Sequence, residues 1–170
     1  MGDKELSGGE LIFPKTIIAG CGNPLFADDG FGPAVVRELQ QLVLPKTVVV
    51  LDAGTSANYF LFPLLDTEVT EAIILIDSID FRARPGSIAR FGPEPFPFGR
   101  LRDAHPGGIA EWIHHLSNRY SVTLVGCQPC RVTYPYLEIG LSEEVKNAVP
   151  EAVKIVLELL QNKKSWKKAS

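Results

Sequence analysis

Three side chains from separate parts of the chain could together hold a divalent cation. Asp28-Asp29-Gly30 falls where an apolar run gives way to a helical pattern, and adjacent carboxylates project differently, so one is expected to cap the helix while the other faces a crevice. Taken alone, such a pair is accounted for by capping. Asp77 closes the apolar run 72–79, where a carboxylate is costly to desolvate unless it is paired, hydrogen-bonded or bound to a cation. A turn cap through Ser78 is the plainer reading of that residue. His105 precedes Pro106-Gly107-Gly108 in a loop, whereas His114 and His115 lie within a helical pattern. Jointly, Asp29, Asp77 and His105 offer two oxygens and a nitrogen from three loops, a donor set suited to nickel or zinc with coordination positions left open.

Other chemistries are less well supplied. Gly20-Cys21-Gly22-Asn23 has the start of a dinucleotide fingerprint, but Leu25 replaces its third glycine and the acidic pair would repel a pyrophosphate. Cys127-Gln128-Pro129-Cys130 has the spacing of a redox pair or of half a zinc site. No second such pair completes a zinc site, and the segment follows a strand and leads into extended chain instead of opening a helix. A thiol oxidoreductase is therefore the lesser alternative. No Ser-His-Asp arrangement is evident, and Cys21 has no assigned histidine base.

The elements that would position these residues alternate. Residues 16–19 read as a buried strand entering the Gly20–Pro24 loop, and Phe31, Val35, Val36, Leu39 and Leu42 recur with helical spacing. A second strand spans 47–51, with Asp52-Ala53-Gly54-Thr55 expected to break it before a helix over 59–65 that Pro63 weakens. The run 72–79 is the third strand, and a short one follows at 88–91. Prolines at 93, 95, 97 and 106 make 92–107 a long loop, a length often tied to function. Ile109, Trp112, Ile113 and Leu116 line a helix, 121–126 is a strand, and 143–160 is a last helix that Pro150 should kink or divide. This alternation predicts an α/β fold of three layers, a mostly parallel twisted sheet with helices on both faces. Ligands of such sheets gather at the carboxyl ends of strands.

Composition agrees with one domain over 1–170, with an ordered core at about 16–160 and a frayed basic tail at 162–170. The 45% hydrophobic content suffices for a core, and a net charge of −3 gives no general attraction for nucleic acid or an anionic membrane. No apolar run approaches the roughly 20 residues of a membrane span, and the polar start 1–10 lacks a signal-peptide segment, so a cytoplasmic protein with reduced thiols is expected.

The chain resembles the nickel-iron hydrogenase maturation endopeptidases. The resemblance rests on Gly20-Cys21-Gly22-Asn23-Pro24-Leu25-Phe26-Ala27-Asp28-Asp29-Gly30-Phe31-Gly32, on Asp52-Ala53-Gly54-Thr55, and on Glu138-Ile139-Gly140-Leu141-Ser142. Asp29, Asp77 and His105 fall on that family's metal-contacting positions, the first of which is Glu in some relatives. The Cys-Gln-Pro-Cys run and the proline loop look most like the archaeal branch serving coenzyme-F420-reducing (deazaflavin) hydrogenases of methanogens.

The resemblance implies an endopeptidase that trims the C-terminal extension of a large-subunit precursor after nickel insertion. It also implies that Asp29, Asp77 and His105 are both the metal-contacting and the catalytic residues. No permanent cofactor is expected: nickel arrives with the precursor, and zinc or cadmium would stand in for it in crystals. The chain itself is expected to be a monomer or weak homodimer. A non-catalytic assembly chaperone that checks nickel through the same residues is the alternative from another class.

Overall fold

The computed structural model describes residues 13–57, 61–92 and 109–162. Strands β1 (Thr16–Cys21), β2 (Val48–Gly54), β3 (Ala72–Ser78), β4 (Ile88–Phe91) and β5 (Ser121–Cys127) form one sheet in the order β2-β1-β3-β5-β4. Pairing is parallel except that β4 runs antiparallel to β5. Helices α1 (Phe31–Leu39) and α3 (Glu143–Gln161) cover one face, where Phe31, Val35, Leu39, Val145, Val149 and Val156 pack with Ile18, Ile74, Ile76 and Val125. Helix α2 (Ile109–Ser117) covers the other, where Ile113 and Leu116 join Ile17, Ala19, Ile73, Leu75 and Leu124. The alternation of β1 and β3 side chains between the two clusters follows from the two-residue period of a strand. β1 and β3 are apolar throughout their centres because both faces are covered, as buried parallel strands require. The expected three-layer α/β architecture is therefore observed.

Two local expectations need correction. Asp52-Ala53-Gly54 does not break the second strand: β2 runs through Gly54, because pairing with β1 continues from Thr16↔Val48 to Cys21↔Gly54 across a bulge. Pro150 does not divide the last helix, which is continuous over Glu143–Gln161. Proline removes one intrahelical bond, but Val145, Ala148, Val149, Ala152 and Val156 are buried on both sides of it and hold both halves against the core. Around 59–65, residues 58–60 lie outside the described residues, and Phe62–Leu64 forms a 3-10 turn. Among the described residues, no helix is long and apolar enough to cross a membrane.

Candidate active site at the carboxyl ends of β1 and β3

The chain leaves β1 for β2 on one side, while β3 lies on the other, so the order of the sheet reverses between β1 and β3. Loops at the carboxyl ends of two such strands diverge, and in open α/β sheets ligands bind there. The acidic segment and Asp77 both belong to these ends. After β1 the chain runs through residues 22–27 into a 3-10 turn, Asp28–Gly30, that leads directly into α1.

Close backbone contacts press this turn onto the sheet. A methyl group added at Gly22 would lie 2.0 Å from the Asp29 carbonyl oxygen, and φ there is +110°, so only glycine allows the approach. One added at Gly32 would lie 2.2 Å from the Cys21 carbonyl and 2.5 Å from that of Ile76, which seats the first turn of α1 across the ends of β1 and β3 together. Asn23 completes the arrangement. Its backbone N–H donates to Asp29 Oδ2 at 2.8 Å, and its side-chain oxygen accepts from Leu25 N–H at 3.0 Å.

Asp29 is thus anchored beside the end of β1, and it is 5% exposed. Asp77 follows Ile76, whose register partner is Gly20 of β1, and is equally buried. Its Oδ1 accepts from the adjacent Ser78 N–H at 2.7 Å, so the turn bond anticipated for this residue is present. The two carboxylates therefore stand at the ends of neighbouring strands. His105 lies outside the described residues. Among the described residues, no group of three His, Cys, Asp or Glu side chains is disposed to hold a metal ion.

Asp28 does not cap α1. Gly30 is the residue at the N-cap, without a side-chain bond, and the Asp28 carboxylate turns inward to tie distant loops together. Its Oδ2 accepts from the N–H groups of Cys130 and Arg131, each at 2.9 Å, and from the Ser142 hydroxyl at 2.9 Å. Oδ1 accepts from Ser142 N–H at 2.6 Å. These four donors compensate the carboxylate's complete burial. Ala27, just before it, is held at φ 54° and ψ −118°, a conformation L-residues rarely adopt and one that costs about 1–3 kcal/mol. The 2.6 Å bond from Ala27 N–H to the Glu138 carbonyl helps to hold it there.

Gln128 has a structural role that no local sequence pattern signals. Its Oε1 accepts from Phe81 and Ala83 N–H at 2.9 and 3.2 Å, and its Nε2 donates to Asp80 Oδ1 at 3.1 Å, fixing the loop that leaves β3. The flanking cysteines are unlike one another. Cys130 is exposed, whereas Cys127 is wholly buried in the α1–α3 core. Burial, and then the negative charges of Asp28 and Glu151, push the Cys127 thiol up to about 12. A thiol so hard to ionise is a poor nucleophile at neutral pH, which argues against disulfide exchange at this pair.

Fold and site define an α/β protein with buried carboxylates at its switch point. A family model for hydrogenase maturation proteases matches residues 33–159. The chain is 42% identical over 144 residues to a putative hydrogenase maturation protease of Methanocaldococcus jannaschii, spanning 83% of this chain and 93% of that one. It is 35% identical over 148 residues to coenzyme F420 hydrogenase subunit delta of Methanothermobacter thermautotrophicus, spanning 85% and 93%. The hydrogenase maturating endopeptidase of E. coli superposes with a TM-score of 0.71 at 27% identity, over 86% of this chain and 92% of that one. The chain belongs to the hydrogenase maturation protease family, and it is a hydrolase of peptide bonds.

Proposed function

We propose that the protein removes the C-terminal extension of a nickel-iron hydrogenase large-subunit precursor once nickel has been inserted. Nickel is part of the substrate and is recognised through Asp29, Asp77 and His105, so that cleavage waits for maturation. The observation that carries this reading is the placement of two buried carboxylates, Asp29 in the turn after β1 and Asp77 near the end of β3, on the two strands flanking the switch point. Hard oxygen donors at that position complement a borderline divalent ion already held by softer ligands. A Lewis-acidic ion there polarises the scissile carbonyl or activates water, and a carboxylate within hydrogen-bond reach of that water is the alternative base.

The work is done in the cytoplasm of an archaeon, on a protein substrate, with neither nucleic acid nor membrane as partner. The test is to replace Asp29 and Asp77 singly by Asn, which keeps size and removes charge. Each variant should stay folded by circular dichroism and lose cleavage of the nickel-loaded precursor. A folded variant of either kind that cleaves at the wild-type rate would remove that residue from the site.

A further inference from the structure

We infer that the apolar segment Val132–Ile139, together with Leu25, is the surface on which the precursor polypeptide docks beside the crevice. Of the nine exposed large apolar residues among those described, five are Val132, Tyr134, Tyr136, Leu137 and Ile139, and Leu25 is a sixth. Tyr136, Leu137 and Ile139 are 78%, 72% and 82% exposed. Scattered apolar residues on a surface need no explanation, but five exposed within the eight positions 132–139 are not scattered, and such a concentration marks an interaction site.

The segment is not loose chain. Ala27 N–H donates to the Glu138 carbonyl at 2.6 Å, Glu138 N–H to the Leu25 carbonyl at 2.9 Å, and Asp28 N–H to the Arg131 carbonyl at 3.2 Å. The Asp28 carboxylate grips both ends, at Cys130 and Arg131 and again at Ser142. Phe26 meets the Tyr134 ring edge-on, with centroids 5.1 Å apart. The apolar residues are thus held by the turn that bears Asp29, and a polypeptide gripped there is held in register with the crevice. A surface ordered in advance loses little entropy on binding.

Charge and composition point to a polypeptide, and the hydrogen bonds to the acidic turn point to the one processed at that site. Arg131, just before the segment, donates its Nε to Glu138 Oε1 at 2.8 Å, so the segment's one charge is paired and its most exposed side chains are apolar or tyrosine. Aromatic and aliphatic side chains of this kind are the anchors of protein–protein contacts, whereas nucleic acid or an anionic surface would require net positive charge. The inference rests on the peptidase reading only in taking the substrate to be a hydrogenase large-subunit precursor. A second copy on the same residues would compete with that substrate.

The test compares wild type with the triple variant Tyr136→Ser, Leu137→Ser, Ile139→Ser, with Tyr136→Ser alone, and with Val43→Ser, an exposed apolar residue remote in sequence from the segment. Binding is read by fluorescence anisotropy of a labelled nickel-free precursor, and cleavage by mass spectrometry of the nickel-loaded one. The triple variant should weaken Kd by at least about tenfold, with the loss in cleavage residing in KM, Tyr136→Ser should weaken it less, and Val43→Ser should not. Unchanged Kd in the triple variant, or no measurable binding by wild type, overturns the inference. A dimer that the triple variant dissociates, at unchanged precursor affinity, overturns it in favour of a second copy. Weakened binding in the triple variant where wild type binds but never cuts leaves the docking surface standing and defeats the peptidase reading instead.

Discussion

Asp28 and Ser142, 114 positions apart, are joined twice: the Asp28 carboxylate accepts from the Ser142 N–H at 2.6 Å and from its hydroxyl at 2.9 Å. The same carboxylate holds Cys130 and Arg131. One side chain therefore couples the acidic turn, the chain after β5 and the start of α3. The neighbouring Asp29 is held instead by Asn23 N–H at 2.8 Å, so two adjacent residues of one type have separate partners, and the proposed function gives the chemistry to Asp29.

Removing that coupling should be costly. Asp28→Ala strands four donors, the two from Ser142 buried and those of Cys130 and Arg131 partly so, and a loss of about 2–4 kcal/mol is expected. Urea unfolding followed by circular dichroism measures it. A loss under about 1 kcal/mol would show that the donors find other partners.

Gly22→Ala should damage fold and activity together. The added methyl would meet the Asp29 carbonyl at 2.0 Å with φ at +110°, so the acidic turn must lift off the end of β1. A destabilisation of more than about 2 kcal/mol is expected, with cleavage lost even at temperatures where the variant is folded. Gly54→Ala is the comparison: φ is +54°, but nothing lies within 4 Å, so its cost is backbone strain of about 1 kcal/mol.

Much of this was legible in the sequence. β3, β4 and β5 and the span of α3 follow from apolar runs and helical spacing, and the acidic turn after β1 follows from the Gly-rich break. Gly54 misled because glycine punctuates strands, yet here it closes a parallel pairing with Cys21. Asp28's role was hidden for a different reason. Its partners lie 102 to 114 residues away, and such a distance leaves no local pattern. Gln128 is concealed in the same way: the CxxC spacing marks the cysteines, whereas the first of the two residues between them binds the loop after β3.

The cysteines should prove dispensable for cleavage and unequal in reactivity. Iodoacetamide at neutral pH should alkylate exposed Cys130 well before buried Cys127, read by mass spectrometry of peptides. The double variant Cys127→Ala, Cys130→Ser should still cleave precursor, whereas a thiol oxidoreductase would lose its activity.

Cys127 also predicts a pH dependence. Its folded value, about 12, lies above the ordinary 9.0, so the folded state retains the proton longer than the unfolded chain does. The protonated thiol's contribution is complete below pH 9 and declines as pH rises from 9 toward 12. Stability measured by urea unfolding should fall more steeply with pH over that window in the wild type than in Cys127→Ala. Equal slopes would show that the thiol ionises alike in both states.

The most direct measurement incubates the purified protein with nickel-loaded and nickel-free forms of a hydrogenase large-subunit precursor and follows the C-terminal peptide by mass spectrometry. Release of the peptide is expected from the nickel-loaded form only, and none with Asp29→Asn. Equal release from both forms would contradict nickel recognition, and binding of the loaded precursor without any release would contradict its processing by this protein.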